Sequence, residues 1–239
     1  MSRVGNFTSS QVYRLCTFGR AKDSIGSPFY TYVQEKLREH RTGRPITKET
    51  NAKSTNWGNF MEQWVFQEKM GLKYSLVSKK RYKHESLLFS GMPDIITDDT
   101  VGDIKNPFTI SSFCDTVDSF ESIETFKKEK PEYYWQLIAN SILTGLPKCL
   151  LLVHIPYKDE LLKIREAAEN YDGNQNHIAF LNWAEDNELP YIERGKYYQD
   201  INEFTFEPPQ EDKDFLIERL TLATELLTKQ IKEDDIRRN

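Results

Sequence analysis

Cys149 to Ile155 reads CLLLVHI, an apolar run broken only by His154, and it constrains the fold more than any other stretch of the chain. A strand with one wet face alternates polar and apolar residues. An unbroken run of this length is expected of a central strand covered on both sides. The preceding segment, Pro131 to Gly145, has proline near its start and glycine just past its end, so it is expected to be a helix leading into that strand. Further on, Lys158–Asn170 and Asn176–Asp186 read as surface helices. Ile201–Phe206 alternates like a strand with Phe204 and Phe206 on one face, and Pro208-Pro209 stops it. A last helix, from about Glu211 to Asp234, carries Leu216, Leu220, Ala223, Leu227 and Ile231 at three- and four-residue steps, a stripe for packing on its own core or on another subunit. Residues 235–239 are expected to fray.

The chemistry is concentrated in FSGMPDIITDDTVGDIKNPF, residues 89–108. Asp94 follows Pro93 at the end of the apolar run Leu87, Leu88, Phe89. Val101–Lys105 reads as the next strand after a polar turn at Thr97–Thr100, and the two runs are expected to pair as a hairpin. Side chains two apart in a strand share a face, so Asp103 and Lys105 project together while Ile104 turns to the core and leaves its carbonyl near them. Two carboxylates and an ammonium suit phosphodiester cleavage. Magnesium takes one or two protein carboxylates and completes its shell with water and phosphate. The alternative for this stretch is a solvated hairpin with Asp98 and Asp99 as turn residues.

Asn51–Gly71 reads as a helix with Trp57, Phe60, Met61, Trp64, Val65 and Phe66 on its apolar face. Glu62 lies among them. A carboxylate there is either paired or at the edge of the face, pointing into a metal site, because burying it alone is costly.

With Pro93-Asp94 and Asp103-Ile104-Lys105, the chain resembles PD-(D/E)XK nucleases, and four segments in order make it similar to the lambda exonuclease, YqaJ-type viral recombinase branch. They are SRVGNFTSSQV (2–12), NAKSTNWGNFMEQ (51–63), SGMPDIITDDTVGDIKNPFTISSF (90–113) and YYWQLIANSILTG (133–145). The resemblance implies an α/β, restriction-endonuclease-like core: a single domain with N-terminal helices (1–70), a catalytic mixed sheet flanked by helices (72–155) and an extension (156–239). It implies two magnesium ions, with manganese possible, and digestion of double-stranded DNA from the 5′ end to leave 3′ single strands for recombination. Glu62, Asp94, Asp103 and Lys105 match the catalytic positions, with Glu62, Asp94, Asp103 and the Ile104 carbonyl as metal ligands. Arg3 and Ser10 match residues used near the 5′-phosphate, and Gln136 matches the first Gln of a Q-x-Q helix taken to contact DNA. Asp103 stands where lambda exonuclease has Glu, and Ile138 replaces the second Gln. A homo-oligomer, most readily a ring of three, and a single-strand annealing protein are the implied partners.

The net charge of −5 looks wrong for a DNA-binding protein until it is divided. Residues 1–110 carry 17 Lys+Arg against 11 Asp+Glu, net +6; residues 111–239 carry 15 against 26, net −11. The basic half holds the nuclease-like motifs, as expected of a protein that grips phosphates. Lys79, Lys80, Arg81, Lys83 and His84 form one basic cluster, either a DNA contact or a lysine-blunted strand edge. Arg38, His40, Arg41 and Arg44 form another, read as charges complementing a helix C-terminus. Ser9 or Ser10 is expected to cap a first helix running to about Phe18. His154 reads as a core residue.

Three cysteines, Cys16, Cys114 and Cys149, lie far apart without metal-ligand spacing, which speaks for free thiols and against an iron–sulfur cluster. No Gly-x-x-x-x-Gly-Lys loop is present to drive a helicase. With no apolar run long enough for a membrane and no signal peptide, a soluble cytoplasmic protein is expected. Two other functions fit the same residues: a site- or structure-specific endonuclease on the same core, and a catalytically silent DNA-binding recombination protein.

Overall fold

The computed structural model describes residues 4–21, 24–46, 52–70 and 80–238. Within them the chain forms β1 (Phe7–Thr8), α1 (Ser27–Thr42), α2 (Lys53–Val65), β2 (Tyr82–Lys83), β3 (Phe89–Gly91), β4 (Ile95–Ile96), β5 (Thr100–Lys105), α3 (Ile110–Asp118), α4 (Ile123–Glu129), α5 (Pro131–Thr144), β6 (Lys148–His154), α6 (Leu161–Glu169), α7 (Gln175–Ile178), β7 (Ile201–Phe206) and α8 (Gln210–Arg238). The architecture is mixed α/β, with a four-stranded sheet ordered β4-β5-β6-β7 and a three-stranded sheet ordered β1-β3-β2.

β6 is the buried centre of the larger sheet, parallel to β5 and antiparallel to β7. Its side chains alternate between two cores. Cys149, Leu151 and Val153 join Val101 in a core with residues of α1, α5 and α8. Leu150 and Leu152 join Ile95 and Ile104 in a second core with residues of α2 and α6. Helices on both faces are what an uninterrupted apolar strand requires. The crossover from β5 to β6 runs through α3, α4 and α5, so α5 lies beside the strand that carries Asp103.

The hairpin partner of β5 differs from the one expected. Ile95–Ile96 pairs with Val101–Gly102. Phe89–Gly91 instead enters the smaller sheet, parallel to β1 and antiparallel to β2. Pro93, which has no N–H to donate, stands at the break between the two sheets. The N-terminal segment is therefore not purely helical. Its first turn is a 3-10 helix over Ser9–Arg14, whose N-cap, Thr8, makes no side-chain capping bond, so neither serine caps a helix reaching Phe18.

α2 has Trp57, Phe60, Met61, Trp64 and Val65 buried and is continued by a π-helical turn, Phe66–Met70. Gly71 and Lys79 lie outside the described residues. Asn176–Asp186 is broken into short pieces: α7 and 3-10 turns at Ala179–Asn182 and Asp186–Glu188. In α8, Leu216, Leu220, Ala223 and Leu227 are fully buried in the chain's own core, which removes them as an intersubunit surface. The helix is drawn through Arg238, and within it Arg41 of α1 grips the Asp234 carboxylate with two hydrogen bonds of 2.6 and 2.8 Å. Cys16, Cys114 and Cys149 are free thiols. No helix among the described residues is long and apolar enough to cross a membrane.

Candidate active site

The end of β5 opens into a cleft of about 550 Å³ between α5 and α2. Glu62, Asp94, Asp103, Ile104, Lys105, Gln136 and Ser10 all line it. Arg3 lies outside the described residues.

Asp94 is pinned to the β5 backbone. Its N–H donates to the Gly102 carbonyl at 3.0 Å, and its carboxylate accepts the Ile104 N–H at 2.8 Å. Asp103 and Lys105 share one face of β5 as the two-residue period demands, and the Lys105 ammonium forms an ion pair with Asp103 Oδ2. Ile104 turns the other way into the second core. Gln136, on α5, bridges the pair: its Nε2 donates to Asp103 Oδ1 at 2.8 Å and its Oε1 accepts from Lys105 at 3.2 Å. A carboxylate only accepts and an ammonium only donates, so this is the one amide orientation that satisfies both. Gln136 was expected to contact DNA; here both ends of its amide are engaged within the site. Ile138 is fully buried in the first core and does not face the cleft.

The electrostatics are strained. Asp103 is only 2 % exposed, and its two oxygens are taken by Gln136 and by the Lys105 ammonium. Burial, then the charges of Asp103 and Glu62, holds the Asp94 carboxyl well above the ordinary carboxylate range, against the opposing influence of Lys105 and the Ile104 N–H. Burial pulls the Lys105 ammonium down, but Asp103 and Asp94 outweigh it and leave the group raised. Lys105 thus stands against Asp103 and Asp94, while Glu62 adds its charge to Asp94. A divalent cation fits such a donor set, because it would relieve the repulsion among Asp94, Asp103 and Glu62. Among the described residues no three His, Cys, Asp or Glu side chains converge on one point. A hard cation at these acids would therefore draw on the Ile104 carbonyl, water and substrate phosphate as well.

One wall of the cleft comes from the small sheet. Thr8 on β1 is in register with Ser90 on β3, which sets Ser9 and exposed Ser10 beside Gly91. Gly91 is required for this packing: a Cβ there would stand 2.6 Å from Asn140 Oδ1 on α5 and 2.7 Å from Ser9 Oγ. Arg81, from the basic cluster, also lines this side and donates to Ser90 Oγ at 3.3 Å. It forms no ion pair with a carboxylate among the described residues. Its neighbours go elsewhere: Lys80 lies over the Tyr82 ring, and His84 Nδ1 accepts the Ser86 and Leu87 N–H groups.

Two cleft residues beside Lys105 are not singled out by the sequence motifs. Tyr133 is one helical turn before Gln136, with its ring 5.2 Å from the Lys105 ammonium; its spacing of three from Gln136 was a usable signal. Asn106 follows Lys105 directly but stands outside the acid–lysine pattern.

No family model and no curated protein matches the sequence. Solved structures do match. The alkaline exonuclease LHK-Exo of Laribacter hongkongensis aligns over 98 % of this chain and 94 % of its own, with a TM-score of 0.63 at 14 % identity. Its complex with dAMP gives 0.64 at 15 % over the same shares. A phage-related exonuclease of Haemophilus somnus 129PT gives 0.63 at 17 %, over 95 % of this chain and 96 % of that one. The chain has the fold of these exonucleases. The helix-flanked mixed sheet expected of the sequence is the architecture they share.

Proposed function

We propose that this protein is a metal-dependent exonuclease that degrades double-stranded DNA from the 5′ end and leaves 3′ single strands for recombination. The observation that carries this reading is the convergence of Asp94, Asp103, Lys105 and Glu62 on one cleft, in a fold shared with exonucleases. One neighbour is a complex with dAMP, a mononucleotide of the kind released when DNA is digested from an end.

Asp94, Asp103, Glu62 and the Ile104 carbonyl would hold magnesium or manganese. When bound, two such ions supply the Lewis acidity that activates water and stabilises the leaving 3′-oxygen. Lys105, kept protonated by its two acids, serves as a donor and counter-charge to the phosphorane rather than as a base. Gln136 holds Lys105 and Asp103 in their mutual geometry. Ser10 with Arg3 would take the terminal 5′-phosphate, and Arg81 a neighbouring backbone phosphate. A guanidinium suits that task because it binds phosphate oxygens bidentately. A trimeric ring would line its channel with the basic half of the chain, and an annealing protein would receive the exposed strand.

A magnesium-dependent time course on linear duplexes bearing a 5′-phosphate or a 5′-hydroxyl, with a covalently closed circle alongside, tests the proposal. Digestion of the phosphorylated linear duplex, with the circle intact, is expected. Cutting of the circle would establish an endonuclease, and binding without cleavage would establish a silent DNA-binding protein. Arg3→Ala and Ser10→Ala should erase the preference for phosphorylated ends; equal slowing on both ends would give these residues a general role. Light scattering on the same protein tests the ring, and a mass near 28.1 kDa with activity retained would exclude it.

A further inference from the structure

His154 is the last residue of β6, and Asn106 follows the last residue of β5, the strand beside it. Lys105 is paired with Val153, so the position after each brings Asn106 beside His154. The contact is a hydrogen bond of 2.9 Å between His154 Nδ1 and Asn106 Oδ1. His154 is 1 % exposed, with its ring 5.8 Å from that of Trp64, and its Nε2 has no partner among the described residues. An orphaned buried N–H is rarer and costlier than a bare lone pair. Nδ1 therefore carries the proton and donates to Asn106, while Nε2 is left as the lone pair. An apolar aromatic residue would fill the same space without an unpaired nitrogen. What histidine adds is the bond to Asn106.

That bond decides where the Asn106 amide points. Oδ1 faces the sheet, so Nδ2 is the free end. Nδ2 takes no partner among the described residues, and Asn106 lines the cleft immediately after Lys105. We infer that Asn106 is a substrate-binding residue whose Nδ2 donates to a phosphate oxygen of the strand being cut, and that His154 is the positioning residue that holds it there. This rests on the nuclease reading and adds to it a donor outside the Asp94–Asp103–Lys105 set. It also makes His154 more than a filler of the core.

The test is a double-mutant cycle on the full-length protein with a 5′-phosphorylated linear duplex in magnesium. Asn106→Ala should lower kcat/KM about tenfold, the loss expected for one hydrogen bond to a charged group. His154→Phe keeps the ring and removes the bond; it should lower kcat/KM by a smaller factor. The double variant should be no worse than Asn106→Ala alone, since the histidine acts only through the asparagine. A purely structural histidine would instead give independent losses, so that the double variant falls by the product of the two. That result, or wild-type kcat/KM in Asn106→Ala, overturns the inference.

Duplex affinity measured in calcium keeps the two readings apart. If the wild-type protein binds in calcium but does not cleave in magnesium, the nuclease reading has failed. The affinity lost or kept by Asn106→Ala then decides the phosphate contact without any cleavage. Protein that neither binds nor cleaves overturns both.

Discussion

Replacing Gln136 with Met tests how the site is held together. Methionine keeps the length and most of the volume but removes both ends of the amide. The loss can be worked from the two bonds. The bond to Asp103 Oδ1 is 2.8 Å long and buried, and Asp103 itself is 2 % exposed. Removing its donor leaves a buried carboxylate oxygen without a partner. The bond to Lys105 is longer, at 3.2 Å, and the ammonium is partly open to the cleft, so water replaces much of it. Asp103 therefore dominates, and a destabilisation of about 2–4 kcal/mol is expected for a charged hydrogen bond plus the unsatisfied acceptor. For a chain of this size that lowers Tm by about 4–16 °C. Thermal unfolding of the metal-free protein, followed by circular dichroism, measures it. The kinetic signature is separate: with Lys105 and Asp103 no longer held together, kcat should fall while KM changes little. An unchanged Tm together with a raised KM and normal kcat would refute the bridging role and restore Gln136 to direct contact with DNA.

Asp94→Asn should abolish cleavage and, unlike most active-site changes, raise the Tm of the metal-free protein, because it removes a carboxylate that burial and the charges of Asp103 and Glu62 disfavour. The same raised carboxyl sets a pH dependence. Folded Asp94 takes up its proton at higher pH than unfolded Asp94, so the metal-free protein should gain stability as pH is lowered from neutral toward the ordinary carboxylate range; thermal melts across that range in EDTA check this, and the Asp94→Asn variant should lack the dependence. Glu62→Gln should need more magnesium for half-maximal rate, read from a metal titration of cleavage. Arg81→Ala should weaken duplex binding and reduce the slope of log affinity against log salt by about one, as expected for one lost phosphate contact; an unchanged slope would return Arg81 to the strand edge. Leu220→Ala, on the buried face of α8, should cost about 2–5 kcal/mol without changing KM.

Much of the site could be read from the sequence because its signals are local. Asp103 and Lys105 share a face through the two-residue period of one strand, and the lysine's partner lies two residues away. The CLLLVHI strand was equally plain, since burial on both faces leaves a run of apolar residues. What escaped depends on partners far along the chain. β1 is two residues long and pairs Phe7 with Phe89, a contact with no period to betray it. The Arg41–Asp234 pair joins residues 193 apart, with no local pattern to mark it. Asn106 is hidden for a similar reason: it becomes conspicuous only when strand register sets it beside His154.

Between Gly91, where β3 ends, and Asp94 there are only Met92 and Pro93. They join the sheet that carries Thr8 and Ser90 to the sheet that carries the acids, and proline stiffens the junction. The separation between the wall bearing Ser10 and the proposed cutting position is thus fixed by a covalent spacer, as on a ruler. Each residue added to an extended chain moves its ends apart by about 3.3 Å. In the proposed reaction, lengthening this spacer by one residue would leave both halves of the site intact but out of step, and the length of the released fragment would report the mismatch.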